Sequence, residues 1–198
     1  MTDRVVIIGS TGANLASLAF ALQRLGVEAP VTEDAERILA AEKTILPGVG
    51  AAADAMTRLR RAGLVEVIKQ LERPLLGICL GMQLLFEHSE EDDAACLGVV
   101  PGTVTRLPGG NGLPVPEMGW NELEGHANKG LFTDIGAGEY AYFVHSYAAS
   151  VSDITTARSN YGVEFSAAIA SNNFYGTQFH PERSARVGAR ILENFLSL

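Results

Sequence analysis

This sequence has little cysteine, no cluster of basic residues and no apolar run long enough to cross a membrane. Its 198 residues include only two cysteines, Cys79 and Cys96, and so few in a chain of this size make a disulfide framework improbable. The formal net charge is −8 and no run of Lys or Arg offsets it. This argues against a nucleic-acid binder, whose footprint is a basic patch. We therefore expect partners among small molecules and other proteins.

Targeting signals are missing as well. The N-terminal stretch MTDRVVIIGS has no long apolar core followed by a small-residue cleavage site, so it does not predict a secretory signal. The apolar run from residue 74 to 86 is interrupted by Gln83 and falls short of the about 20 residues that span a bilayer. We expect a cytoplasmic protein with free thiols, no membrane contact and a single domain over residues 1–198.

The hydrophobic pattern of the first half alternates between strands and helices. Short uninterrupted apolar runs such as RVVII at 4–8 are typical of strands buried on both faces. Strands are predicted at 4–8, 28–32, 43–50 and 74–79, and helices at 14–26, 34–42, 51–71 and 80–88. This order predicts an α/β fold of flavodoxin-like type, a doubly wound, mostly parallel sheet flanked by helices.

The second half changes character. Strand-like runs at 98–102, 104–107, 141–150 and 165–171 are separated by turns rich in Gly, Pro and Asn, which predicts an antiparallel extension of the sheet. The run 174–182 ends the sheet, and a last amphipathic helix follows at 184–198. Loops 47–50 and 79–81 both follow predicted parallel strands, so we expect them to face one ligand-binding crevice.

The clearest chemical signal is the pattern G-x-C-x-G at residues 77–81. It is the thiol counterpart of the nucleophile elbow, in which small neighbours permit a strained strand-to-helix turn that exposes the side chain. The predicted helix would place its positive end at the Cys79 thiol, and the backbone N–H of Leu80 could bind an oxyanion. The alternative is an inert core thiol, because free cysteine is often simply buried.

A nucleophilic cysteine needs a base and a group that orients the base. Of the four histidines, His145 and His180 lie in strand-like apolar settings. His180 ends a predicted strand, and Glu182 stands two residues further on, where a carboxylate can fix the imidazole tautomer. Residues 47–50, Pro-Gly-Val-Gly, could present backbone N–H groups to an anion or form an ordinary turn. They lack the Lys-Ser/Thr of a Walker loop.

Together these stretches resemble a known family. GICLGMQLLFE, ILPGVG and GTQFHPERS are similar to the class I (triad-type) glutamine amidotransferases, over essentially the whole chain. VPEMGWNEL, AYFVHSY and GANLASL resemble the glutaminase subunits of imidazole glycerol phosphate synthase. The resemblance implies hydrolysis of L-glutamine to glutamate and ammonia through a Cys79 thioester. His180 would transfer the proton and Glu182 would orient His180.

The resemblance also assigns further roles by position. It implies an oxyanion site at Leu80, Val49 and Gly50, no metal and no cofactor. Glutamine would be bound by Gly50, Gln83, Glu91, Val144, His145 and Ser146. The surface for the partner would include Asn14, Met118, Gly119, Trp120, Asn121, Tyr142 and Arg183. Two positions depart from the family pattern: Glu117 stands where His or Gln is expected, and Arg183 where Lys is common.

The implied partner is a (β/α)₈-barrel cyclase subunit that forms a heterodimer with the glutaminase. It would receive the ammonia and make imidazole glycerol phosphate and aminoimidazole carboxamide ribotide in histidine biosynthesis. Two alternatives stay open. One is a triad glutaminase serving anthranilate, guanylate or pyridoxal phosphate synthesis, against which the segment MGWN argues. The other is a non-enzymatic flavodoxin-like binding module with an inert Cys79.

Overall fold

The computed structural model describes residues 3–10, 15–110 and 112–198. Within these ranges the chain forms thirteen strands and six α-helices. The strands are β1 (Val5–Ile8), β2 (Val31–Thr32), β3 (Lys43–Gly48), β4 (Leu75–Cys79), β5 (His88–Ser89), β6 (Ala94–Ala95), β7 (Thr103–Arg106), β8 (Glu117–Glu122), β9 (Tyr140–His145), β10 (Tyr147–Ala149), β11 (Thr155–Asn160), β12 (Glu164–Ser171) and β13 (Phe174–Thr177). The helices are α1 (Leu15–Arg24), α2 (Ala35–Ala40), α3 (Ala52–Arg61), α4 (Leu64–Lys69), α5 (Leu80–Gln83) and α6 (Ala185–Ser197).

A seven-stranded sheet in the order β11-β12-β13-β4-β3-β1-β2 forms the centre of the fold. The strands from β13 to β2 run parallel, whereas β12 and β11 continue the sheet antiparallel. The predicted fold class, a mostly parallel sheet with an antiparallel extension, is confirmed. A four-stranded sheet, β10-β7-β5-β6, and the antiparallel hairpin β8–β9 are added to it.

Strand β1 shows why its sequence is apolar without interruption. Val5 and Ile7 belong to one buried cluster, together with residues of α1 and α6. Val6 and Ile8 belong to a second cluster, together with residues of α2, α3 and α4. Because successive side chains of a strand point to opposite faces, helices cover both faces of the sheet and β1 needs apolar side chains on both.

The pairing of β3 with β4 positions the functional site. These two parallel strands are in register with Gly48 opposite Cys79, so the loops that follow them start side by side. The prediction that loops 47–50 and 79–81 face one crevice is confirmed. Such a crevice at the carboxyl ends of parallel strands is the usual ligand site of this architecture.

The predicted helical boundaries were partly wrong. The helix after Cys79 covers only Leu80–Gln83 instead of 80–88, so it provides little of the dipole expected at the thiol. The predicted helix 51–71 is two helices, because Gly63 takes a left-handed φ of 70° between them. Residues 98–102, predicted as a strand, form bends.

The predicted strand 141–150 is also divided. Strand β9 pairs with β8 in the hairpin, whereas β10 pairs with β7 in the four-stranded sheet. Ser146 is the single residue between them. The chain therefore changes sheets at this position, next to the crevice. None of the helices in the described ranges is long and apolar enough to cross a membrane.

The packing of α3 on the sheet gives a direct test of the fold. Leu59 is fully buried in the cluster beneath α3, so Leu59→Ala should lower the free energy of unfolding by about 2–5 kcal/mol. Leu39→Ala removes the same atoms from a side chain that is 44% exposed and should cost less than about 0.5 kcal/mol. Urea unfolding of both variants decides this, and equal losses would contradict the packing described.

Candidate active site

Cys79 lies at the end of β4 in a strained backbone conformation. Its φ is 53° and its ψ is −113°, a region that side-chain-bearing residues seldom occupy and that is found mainly at functional sites. Gly77 and Gly81 allow this turn through close packing. A Cβ at Gly77 would lie 2.6 Å from the Gly81 carbonyl oxygen, and a Cβ at Gly81 would collide with the Leu46 carbonyl. The two glycines of the pattern G-x-C-x-G thus allow β3, β4 and the start of α5 to pack closely together.

Three groups surround the Cys79 sulfur. The His180 side chain interacts with it. The Val144 carbonyl oxygen lies 3.7 Å from Sγ, and the Gln178 amide nitrogen lies 3.8 Å from it. Cys79 is only 7% exposed. The sulfur is therefore held beside an imidazole in a small, polar-lined recess, which is the setting of a nucleophile and not that of an inert core thiol.

His180 is oriented by a carboxylate. Its Nδ1 lies 2.8 Å from Oε1 of Glu182, and both side chains are largely buried. His180 does not end a strand as predicted: β13 ends at Thr177, and His180 precedes the short 3₁₀ helix Pro181–Arg183, which contains Glu182. Because Nδ1 donates to the carboxylate, Nε2 is left to exchange a proton with Cys79. The three side chains Cys79, His180 and Glu182 are arranged as the sequence predicts for a nucleophile, a base and a group that orients the base.

The pKa of His180 is raised from 6.5 to about 10. Burial is the largest single influence and lowers this pKa, because it disfavours the charged ring. The hydrogen bonds to Cys79 and Glu182, together with the negative charges of these two groups, outweigh it and raise the pKa. The imidazolium form of His180 therefore persists at neutral pH, next to the Cys79 sulfur.

Two residues that sequence reasoning did not single out hold this arrangement. Ser184 accepts a hydrogen bond from the Tyr142 N–H and donates one to the His180 carbonyl, at 2.9 and 2.7 Å, which fixes the His180 loop against β9. Gln178 is fully buried and contacts the Cys79 sulfur. Gln178 could have been found from the sequence, because it is a polar residue inside the apolar run 174–182 and a buried polar side chain has to find a partner.

The loop predicted to hold the oxyanion, residues 47–50, includes the end of β3 and leads to α3. Gly50 has a φ of 91°, a conformation that glycine adopts without strain. Helix α3 begins at Ala52, whose backbone N–H donates to Oε2 of Glu91 at 2.9 Å. Burial raises the pKa of Glu91, and the Ala52 hydrogen bond partly offsets this effect. A predicted glutamine-binding carboxylate is therefore joined to the loop predicted to hold the oxyanion.

A cleft of about 250 Å³ opens directly over the nucleophile. The structure brings the predicted substrate residues together there. Its lining includes Cys79, His180, Leu80, Val49, Gly50, Gln83, Glu91, Val144, His145 and Ser146. Pockets for drug-sized ligands span roughly 300–1,000 Å³, so this smaller cleft suits a substrate the size of an amino acid. Within the described ranges, no group of three His, Cys, Asp or Glu side chains could hold a metal ion.

Comparison with known proteins agrees with this geometry. The family model "Glutamine amidotransferase class-I" matches residues 7–198. The chain belongs to the class I glutamine amidotransferases. The resemblance seen in the sequence is thereby confirmed, and the chain is an enzyme of the amidotransferase family with the α/β fold that the sequence predicted.

Curated relatives of this amidotransferase carry one name. "Imidazole glycerol phosphate synthase subunit HisH" of Xanthomonas campestris pv. campestris is 53% identical, covering 100% of this chain and 98% of its own length. The subunit of Vibrio parahaemolyticus is 48% identical over the whole of both chains, and HisH 2 of Legionella pneumophila is 50% identical over 98% of each.

Solved structures of glutamine amidotransferases have the same fold. One crystal structure with that description has a TM-score of 0.76 at 20% identity, and the match covers 98% of this chain and 97% of that one. Another, from Thermotoga maritima, has a TM-score of 0.63 at 20% identity, covering 98% of this chain and 83% of that one. At this level of identity the likeness supports the fold alone. It carries no argument about which synthase this amidotransferase serves.

The surface predicted for the partner lies beside the triad of this amidotransferase. Met118 and Trp120 are 66% and 53% exposed on β8, and the Trp120 ring packs edge-on against Tyr142 of β9. The Arg183 guanidinium lies 4.6 Å from the centre of the Tyr142 ring. Gly119 lies between Met118 and Trp120. Asn121 directs its amide inward, to Glu117 and the Asn160 carbonyl, and Asn14 lies outside the described residues.

The effect of Glu182 on the imidazole of this amidotransferase can be measured. Glu182→Gln removes a negative charge that raises the pKa of His180, so we expect that pKa to fall from about 10. A folded-state pKa above 6.5 stabilises the fold below pH 6.5, and this stabilisation disappears as the pH rises through about 10. In Glu182→Gln this stabilisation should disappear at a lower pH than in wild type.

NMR titration of the His180 ring in wild type and Glu182→Gln provides the measurement. Glu193→Gln makes the same change on α6, where Glu193 pairs with Arg190, and should leave the titration of His180 unchanged. An imidazolium that persists to the same pH in Glu182→Gln would show that Glu182 does not support its charge.

Proposed function

We propose that this chain is the glutaminase subunit of imidazole glycerol phosphate synthase, working in histidine biosynthesis in the cytoplasm. It hydrolyses L-glutamine and delivers the ammonia to a (β/α)₈-barrel cyclase subunit, with which it forms a heterodimer. One observation carries the proposal. The Cys79–His180–Glu182 arrangement lies beneath an amino-acid-sized cleft in a chain about half identical, over its full length, to subunits of that synthase.

The chemistry follows from the positions of the three side chains. The Cys79 thiolate attacks the side-chain amide carbon of glutamine, forming a tetrahedral intermediate. His180, already protonated, gives its proton to the departing nitrogen, so ammonia leaves and a γ-glutamyl thioester remains. His180 then takes a proton from water, which attacks the thioester. Glutamate departs and Cys79 returns to the thiolate, while Glu182 keeps the imidazole oriented throughout.

The negative charge of the tetrahedral intermediate needs hydrogen-bond donors. The Leu80 N–H follows the nucleophile at the start of α5, and the Val49–Gly50 segment lines the same cleft. Donors fixed before the reaction stabilise the oxyanion without reorganisation. Because Gly50 has the freedom of a residue without Cβ, we propose that a peptide of this loop rotates to donate only when the cyclase is bound.

Recognition of glutamine uses polar groups around the cleft. Glu91 offers a carboxylate to the substrate ammonium group, and Gln83 offers a buried amide. Val144–Ser146, where the chain passes from one sheet to another, offers backbone N–H and C=O groups. The Glu91–Ala52 hydrogen bond joins substrate binding to the oxyanion loop. Bound glutamine would thus act on the loop that completes the catalytic site.

The path of ammonia is supported by a second cleft, of about 410 Å³. It shares Val49, Val144 and His180 with the glutamine cleft and extends to Ser17 and Arg183. We propose that ammonia leaves on this side and that the cyclase covers it. The exposed Trp120 and Arg183 both contact Tyr142 and provide the aromatic and cationic anchors that protein interfaces favour.

Thiol labelling tests the assignment of the nucleophile. A glutamine diazo-ketone should alkylate Cys79 and leave Cys96 intact. Burial raises the pKa of the Cys96 thiol to about 11, so this residue is a natural internal control at neutral pH. Peptide mass spectrometry identifies the modified residue. Adduct on any residue other than Cys79, or none in the wild type, would refute the mechanism.

Hydrolysis assays with and without the cyclase test the assignment of the synthase. We expect low glutaminase activity for the isolated chain and a rise of at least about 100-fold when the cyclase and its nucleotide ligand are added, since an oxyanion donor contributes about 10²–10³ in kcat. Cys79→Ala should remove activity in both conditions, whereas Cys96→Ala should retain it. Full turnover by the isolated chain, or no response to the cyclase, would contradict the proposal.

A further inference from the structure

A buried ionisable pair lies outside the catalytic triad, across the β8–β9 hairpin. Glu117 and His145 are directly opposed residues of these two strands. Oε2 of Glu117 lies 3.0 Å from Nε2 of His145, and the two side chains are only 3% and 2% exposed. Neither side chain has a role in the chemical steps of glutamine hydrolysis. Burying two such groups is unfavourable unless each is paired, so their contact requires an explanation.

The surrounding hydrogen bonds define where the protons are. Nδ1 of His145 lies 2.9 Å from the Tyr147 carbonyl oxygen, which can only accept, so Nδ1 carries a proton. Oε1 of Glu117 accepts from the Asn121 amide at 2.8 Å. Oε2 of Glu117 approaches Nε2 of His145 to 3.0 Å as an ion-pair contact, although the two atoms are not aligned as a hydrogen bond.

A continuous hydrogen-bonded chain leads from this pair to the nucleophile. The Tyr147 carbonyl that accepts from His145 also accepts from the Gln83 amide, at 2.7 Å. The same Gln83 nitrogen donates to Oε1 of Gln178 at 3.0 Å, and the Gln178 amide lies 3.8 Å from the Cys79 sulfur. Gln83 and Gln178 are 4% and 0% exposed. Each side-chain amide in the chain therefore has its orientation fixed by its neighbours.

We propose that Glu117 and His145 are positioning residues for the glutaminase reaction. The Glu117 side chain, in contact with Nε2, holds the His145 ring so that Nδ1 donates to the Tyr147 carbonyl. That ring fixes the Tyr147 carbonyl, which in turn orients Gln83 at the wall of the glutamine cleft and, through Gln178, the Cys79 sulfur. This inference rests on the proposed glutaminase function. It gives the acidic residue at position 117 a specific role inside the protein.

Two substitutions at Glu117 separate positioning from bulk stability. Glu117→Ala removes the partner of His145, and we expect the KM for glutamine to rise about 10-fold or more, the change expected when a buried polar group loses its partner. Glu117→Gln keeps the shape of the side chain and a polar group beside Nε2, so its KM should stay within about 3-fold of wild type. The assay uses the complex with the cyclase, and diazo-ketone titration counts active sites.

Glu124 provides the matched control. It is an exposed acidic residue just after β8, and Glu124→Ala and Glu124→Gln should leave KM and kcat unchanged. A merely structural role for Glu117 would reduce the number of active sites and leave the KM of the remaining sites unaltered. If Glu117→Ala has the KM of Glu124→Ala, the proposal is wrong.

NMR of the His145 ring gives a readout that does not depend on activity. We expect a proton on Nδ1 of His145 in wild type and in Glu117→Gln, hydrogen bonded to the Tyr147 carbonyl, and this measurement still decides the question if Glu117→Ala fails to fold. A wild-type His145 with its proton on Nε2 alone would overturn the proposal. The two proposals are separable: a wild-type complex that hydrolyses no glutamine refutes the function, whereas an active complex indifferent to Glu117→Ala refutes only the positioning role.

Discussion

The parallel contact between β3 and β4 is the constraint on which the site depends. Gly48 lies opposite Cys79, and a Cβ on Gly48 would come within 2.7 Å of the Gly81 backbone nitrogen. The strands and the start of α5 can approach this closely only because side chains are missing at the glycine positions. The close approach brings Cys79 and loop 47–50 to one point, and the other groups of the proposed site are arranged around them.

Buried polar groups organise the second wall of the site. The His180 loop is tied to β9 through Ser184, and the Gln83 amide is tied to β10 through the Tyr147 carbonyl. These contacts join elements that are far apart in the sequence. In a low-dielectric interior an unpaired polar group is costly, so the network favours a single arrangement of the cleft over many similar ones.

The sequence predicted the parallel strands, but neither the length of α5 nor the partner of Glu117. Uninterrupted runs such as residues 4–8 predicted parallel strands, because strands buried on both faces leave no polar alternation. The length of α5 was not predictable, since the apolar run 84–86 fits a buried helix or a buried irregular segment equally well. Glu117 was seen only as a departure from the family pattern. Its burial depends on His145, which approaches it only when the hairpin forms, and residue spacing does not reveal such a partner.

The change of sheets at Ser146 has a mechanical consequence. The segment around Ser146 forms one wall of the cleft. The strand before it, β9, belongs to the exposed hairpin β8–β9, and the strand after it, β10, belongs to the four-stranded sheet. A ligand that contacts this segment touches the point where the chain passes from one sheet to the other. Free-energy coupling is reciprocal. A partner that binds the hairpin and raises the affinity of the cleft for its ligand is therefore itself bound more tightly when the ligand is present. The junction at Ser146 therefore connects the exposed surface of the hairpin to the wall of the cleft.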